Sequence, residues 1–132
     1  MLINIVKMSY VFVFIGGGLG CLLRYFLSSV ARWPVSLGCF PVKTFVVNMV
    51  GCLLIGVFSG LFLRLGCRNE AKDFLVAGFC GGFTTFSTFS REAVDLFLAG
   101  NGVSAIAYAV LSLVAGMALV ALGYAIAYKV AC

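Results

Sequence analysis

Long apolar runs separated by short polar connections dominate the chain. Four runs, approximately 9–29, 45–65, 74–98 and 103–128, are candidates to cross a membrane. A helix needs about 20 mostly apolar residues, rising 1.5 Å each, to cross roughly 30 Å of hydrocarbon. The second run holds no charge from Phe45 to Leu63, and the fourth holds none from Val103 to Tyr128. The first is apolar from Met8 to Leu23 and meets Arg24 near its end. The third begins cleanly at Phe74 but contains the stretch "GFCGGFTTFSTFSRE", residues 78–92, rich in glycine, hydroxyls and phenylalanine. Lys7 before an apolar run has the look of a secretory signal, but three further spans follow, so this run is read as a retained helix.

Composition agrees with the pattern. Of 132 residues, 64% are hydrophobic and 10% charged, with a mean hydropathy of +1.20, which takes the chain out of the soluble class. The connections, around Val30 to Thr44, Gly66 to Asp73 and Ala99 to Gly102, leave room for no soluble domain, so residues 1–132 form a single membrane domain. The reading is an all-α integral membrane fold.

The net charge of +5 does not indicate nucleic acid, because the basic residues are scattered over helix ends and connections. Their distribution bears instead on topology. With four spans, Lys7, Arg64, Arg68, Lys72 and Lys129 share one side, while Arg24, Arg32, Lys43 and Arg91 share the other. Such near balance gives the positive-inside rule little to act on. The expectation is dual topology, with copies inserted in both directions and assembled antiparallel. Gly16-x3-Gly20 and Gly56-x3-Gly60 permit close helix contact, either within one subunit or between two.

Six cysteines occur without a CxxC motif and without any histidine, so Cys21, Cys39, Cys52, Cys67, Cys80 and Cys132 are read as small apolar residues rather than metal or redox ligands. The lack of histidine, and of a nucleophile with a plausible partner, argues against an enzyme.

The polar stretch carries the candidate chemistry. Gly81 and Gly82 mark either close packing or a break in the third helix, where freed carbonyls can meet a cation. Hydroxyls occupy five of the seven positions in "TTFSTFS", 84–90. On a continuous helix Phe83, Phe86 and Phe89 form one stripe, beside Thr84, Ser87, Thr88 and Arg91. Asn48 is the single amide of the second span, and Ser104, Tyr108 and Ser112 form a polar stripe on the fourth. Two readings stand: hydroxyls that glue helices together, or a narrow pathway. For a pathway, O–H and N–H donors and electropositive ring edges suit a small anion. The acids Glu70, Asp73, Glu92 and Asp95 lie in a connection or the outer part of the third span, which disfavours a proton-coupled exporter.

Three segments, "GGGLGCLLRY" (16–25), "KTFVVNMVGCLLIG" (43–56) and the 78–92 stretch, resemble in order and spacing the signature regions of the CrcB/Fluc fluoride channels. The resemblance implies four transmembrane helices per subunit, a third helix broken in mid-span, and an antiparallel dual-topology homodimer in the bacterial inner membrane. It further implies passive fluoride export that confers fluoride resistance. By motif position, Phe86 and Phe89 match the pore phenylalanines and Asn48 the pore amide. Ser87, Thr88, Tyr108 and Ser112 match the polar track, and Arg24 a vestibule arginine. A structural sodium ion (Na+) at the dimer centre is expected on the backbone carbonyls of Gly81 and Thr84. One departure is Gly116, where the family often carries a further hydroxyl.

Overall fold

The computed structural model describes residues 2–30, 40–66 and 68–130; Arg32, Pro34, Cys39, Cys67 and Cys132 lie outside the described residues. Within them the chain is helical and contains no strand. In order come α1 (Leu2–Val30), α2 (Val42–Leu65), α3 (Asn69–Lys72), a π-helical segment (Asp73–Cys80), α4 (Gly81–Phe83), α5 (Phe86–Leu98) and α6 (Gly102–Val130).

Helix is the expected state for apolar runs of this length, because hydrocarbon offers no partner for a backbone amide and each must be satisfied within its own segment. Three stretches among the described residues are long and apolar enough to cross a membrane: Met8–Ser29, Val42–Leu65 and Gly102–Val130. They contain most or all of the first, second and fourth runs. The third run, 74–98, is not one helix. It begins in the π-helical segment, passes through α4, and continues in α5 after two non-helical residues.

Helices approach one another at glycines. α2 and α6 share the most extensive contact, and α1 lies along the π-helical segment and α4. A methyl group at Gly16 or Gly20 would strike the carbonyl of Phe74 or Phe79, and one at Gly56 would strike the carbonyl of Val120. At Gly60 it would meet the Ala127 methyl at 2.7 Å. Both small-residue motifs are therefore spent on packing within the subunit. The same holds for Gly82, whose added methyl would run into the Gly17 carbonyl. Gly81 and Gly82 are helical, so of the two readings open for this pair Gly82 serves close packing.

Tyr108 of α6 anchors the core of the other half. Fully buried, it packs with Leu96, Ala105, Phe89, Phe40 and Phe45. Outward faces are apolar instead: Phe14 of α1 is 81% exposed and Leu63 of α2 82%. Faces of this kind are destined for lipid or for another protein surface.

Candidate functional site

The site is organised by the two residues between α4 and α5. Helical geometry stops after Phe83; Thr84 (φ −83°, ψ 158°) and Thr85 (φ −146°, ψ 111°) are extended. An interruption strands backbone groups that a dry environment must satisfy. Here Asn48 of α2 supplies the partners. Its Oδ1 accepts from the Thr85 N–H at 2.9 Å, and its Nδ2 donates to the Thr85 carbonyl at 3.2 Å. One amide side chain thus completes both backbone groups of one extended residue.

Hydroxyls finish each helix end. Thr84 donates to the Cys80 carbonyl from its N–H (3.0 Å) and from Oγ1 (2.9 Å). Thr85 is the N-cap of α5: its Oγ1 accepts from the Thr88 N–H at 3.2 Å and donates to Thr88 Oγ1 at 3.0 Å, with Ser87 Oγ 3.4 Å away. Thr85→Ala should lower stability by roughly 1 kcal/mol, the usual worth of an N-cap hydroxyl. Thermal melting should show Thr85→Ser close to the parent, and a parent-like Thr85→Ala would refute the capping role.

The carbonyls of residues 81–84 lose their helical donors in the process, those of Gly81 and Thr84 among them. In an uninterrupted helix the Gly81 carbonyl would accept from the Thr85 N–H and the Thr84 carbonyl from the Thr88 N–H, but those amides are turned to Asn48 and to Thr85 Oγ1. Neutral carbonyl oxygens at a helix interruption suit a hard monovalent cation. Among the described residues no group of three or more His, Cys, Asp or Glu side chains could hold another kind of metal.

Beside the interruption lies a cleft of about 290 Å³ lined by Asn48, Thr85, Phe86, Phe89, Ser112 and Cys52, among others. Its surface is apolar with isolated polar points. Phe86 is 80% exposed, and its ring centroid lies 5.8 Å from that of Phe89, tilted by 39°. The Ser112 hydroxyl is buried without a hydrogen-bond partner among the described residues. A buried orphan hydroxyl costs free energy unless something arrives to bond it.

The sequence-predicted residues divide accordingly. Asn48, Phe86, Phe89 and Ser112 meet at the cleft, while Ser87 and Thr88 belong to the cap of α5. Tyr108 stands behind Phe89, with ring centroids 5.1 Å apart. Arg24 is held away from the cleft lining: its Nε donates to the Gly82 carbonyl at 3.3 Å. Phe83 does not continue the aromatic stripe, because it precedes the interruption; it is buried, stacked on Phe79 at 5.9 Å. At Gly116 a side chain would meet Cys52 Sγ at 3.3 Å and Met49 Cε at 3.7 Å, so sulfur-bearing side chains fill the place of the absent hydroxyl.

Sequence reasoning missed Thr85, Thr44 and the position of Glu92. Thr44 Oγ1 donates to Glu92 Oε1 at 2.7 Å and Tyr108 OH donates to Glu92 Oε2 at 3.0 Å. The carboxylate assigned to an outer span position is thus engaged by two hydroxyls from α2 and α6. The only sequence sign was that Thr44 and Tyr108 are polar residues in largely apolar helices and that Glu92 closes the polar stretch 78–92.

Comparison with known proteins gives the family of the chain. A family model described as "CrcB-like protein, Camphor Resistance (CrcB)" matches residues 11–124. The "Fluoride-specific ion channel FluC" of Azobacteroides pseudotrichonymphae genomovar. CFP2 is 45% identical over 111 residues, covering 83% of this chain and 88% of the relative. That of Phocaeicola vulgatus is 44% identical over 115 residues, 87% of this chain and 94% of its own. "Fluoride-specific ion channel FluC 2" of Bacillus subtilis (strain 168) is 42% identical over 122 residues, 92% and 89% of the two chains. A match that runs from α1 into α6 takes in the whole interruption, its Asn48 partner and the cleft, and the chain belongs to the CrcB family.

Proposed function

We propose that this protein is a fluoride-specific ion channel that lowers cytoplasmic fluoride by passive, electrodiffusive export and so confers fluoride resistance. The observation that carries this reading is the cleft beside the α4–α5 interruption, lined by an exposed Phe86, a partly buried Phe89, the unpartnered hydroxyl of Ser112 and the Asn48-held Thr85. Its relatives bear the name of that activity.

The chemistry of the lining suits a small, strongly hydrated anion. Ring edges of Phe86 and Phe89 offer partial positive charge, and Ser112 offers an O–H donor. None of these groups carries a full charge, so an anion exchanges water for donors without being trapped by a fixed cation. Ser87, Thr88 and Tyr108 extend the polar path at either end of the aromatic pair, and Arg24 raises the local positive potential near Gly82.

The pathway is completed by assembly. We place the α4–α5 interruption at mid-membrane in a four-span subunit whose fourth crossing is formed by the π-helical segment, α4 and α5 together. Two copies in opposite orientations form the homodimer, a reading supported by the near balance of basic residues between the two sides and by the unspent apolar faces of the helices. The carbonyls of Gly81 and Thr84, freed from their helical donors, would hold a structural sodium ion, which supplies positive charge where backbone dipoles converge. The expected location is the bacterial inner membrane.

The test is fluoride efflux from liposomes containing the purified protein, with a potassium ionophore to clamp the voltage. Fluoride should leave rapidly while chloride is retained. Replacement of either ring, Phe86→Ile or Phe89→Ile, should cut the rate by at least roughly tenfold, the loss of about 1.4 kcal/mol of anion stabilisation. Full flux in both variants would rule out the aromatic path. Efflux seen only under an imposed proton gradient would transfer the function to coupled export through Glu92.

A further inference from the structure

α1 and the π-helical segment run side by side and form a wedge. Their backbones touch at Gly16, against the Phe74 carbonyl, and toward Met8 the space between them opens into a groove of about 600 Å³. Phe12, Ile15 and Phe74 line its walls, and Arg68 and Glu70 stand at its mouth. From Met8 to Ile15 the helix rises about 10 Å, the depth of the upper part of one leaflet.

Two features of the mouth point to an occupant. The walls are apolar and belong to a membrane-spanning helix, so what fills them is a hydrocarbon chain rather than a water-soluble ligand. The mouth then presents one charge of each sign. Arg68 is 90% exposed at its side chain and Glu70 40%, with Nε and Oε2 3.8 Å apart. An exposed pair at that separation gains little from its own attraction. Each partner is therefore available to a stronger one: the guanidinium for a phosphodiester, through its planar fork, and the carboxylate for an ammonium.

We propose that this groove binds one aminophospholipid, its acyl chain lying along Phe12, Ile15 and Phe74, its phosphate on Arg68 and its primary ammonium on Glu70. An anionic headgroup without an amine would meet Glu70 with like charge. A quaternary ammonium has no N–H to donate to it. Free phosphate would leave the apolar walls empty. The site is independent of ion conduction.

The experiment uses the whole protein in bilayer nanodiscs containing equal parts of phosphatidylethanolamine, phosphatidylglycerol and phosphatidylcholine, with retained lipid counted by native mass spectrometry. The parent should hold phosphatidylethanolamine about threefold over the other two, the preference that one exposed ionic contact supports. Arg68→Ala should lower retention of all three lipids, since each carries the phosphate, while the preference set by Glu70 persists. Glu70→Gln should keep a bound lipid but lose the distinction between phosphatidylethanolamine and phosphatidylglycerol, and Ile15→Trp should fill the groove and lower retention of all three. Equal retention by the parent, an unaltered pattern in both charge variants, or displacement of the lipid by inorganic phosphate would each overturn the proposal.

Discussion

Asn48→Asp should reduce fluoride efflux by at least about a hundredfold, and should do so by two separable effects. The first is structural. Asparagine serves the Thr85 carbonyl as donor and the Thr85 N–H as acceptor, at 3.2 and 2.9 Å. An ionised aspartate keeps the acceptor, loses the donor, and sets a carboxylate oxygen against the Thr85 carbonyl. A partly buried carbonyl left unsatisfied costs roughly 1–3 kcal/mol, and repulsion adds to it. The second effect is on the ion, because a negative charge in the cleft wall repels an anion. Asn48→Ala separates the two: it removes the clamp without adding charge. Thermal melting should therefore show both variants destabilised, while efflux should be lower in the aspartate form than in the alanine form. Aspartate flux at the parental rate would remove Asn48 from the pathway altogether.

That double use of Asn48 explains why part of the site was legible and part was not. A lone amide in an uncharged span is conspicuous, and the sequence pointed to it as a lining group. What it bonds could not be read, because its partner is Thr85, 37 residues away. Local pattern left the glycine pair open between close packing and a break, and did not locate the extended residues. Glycine weakens a helix, so the adjacent pair Gly81 and Gly82 was a reasonable place for a break. Yet the helix continues through both and yields at Thr84 and Thr85, where Asn48 compensates the lost backbone bonds. The deciding term was tertiary.

The aromatic stripe failed for a related reason. A three-residue recurrence puts Phe83, Phe86 and Phe89 on one face only if the helix is continuous. With two extended residues inside it, Phe83 turns into the core while Phe86 and Phe89 remain neighbours. The three long apolar helices were legible because hydropathy over about 20 residues is a property of the segment itself. The Thr44–Glu92–Tyr108 contact was not, since it joins three helices that only the fold brings together. The small-residue motifs announced close helix contact without naming the partner.

Those glycines give the other large expected effect. Gly82→Ala should destabilise the protein by roughly 2–3 kcal/mol and abolish conduction, whereas Gly18→Ala should be neutral or stabilising by up to about 1 kcal/mol. Both glycines are helical, so alanine gains the same intrinsic propensity at each, and the sign is set by what the new methyl meets. At Gly18 it meets nothing within 4 Å. At Gly82 it runs into the Gly17 carbonyl oxygen, with the carbonyl carbon and Cα of Gly17 at 3.0 Å, and backbone of a packed helix cannot step aside as a flexible side chain would. α4 must then move away from α1. Because α4 leads directly into Thr84 and Thr85, that shift displaces the extended pair from Asn48 and pulls apart the cap of α5. Melting temperature should report the packing cost and liposome efflux the loss of the site. Equal stability of the two variants would mean that α1 and α4 do not approach as closely as the structure places them.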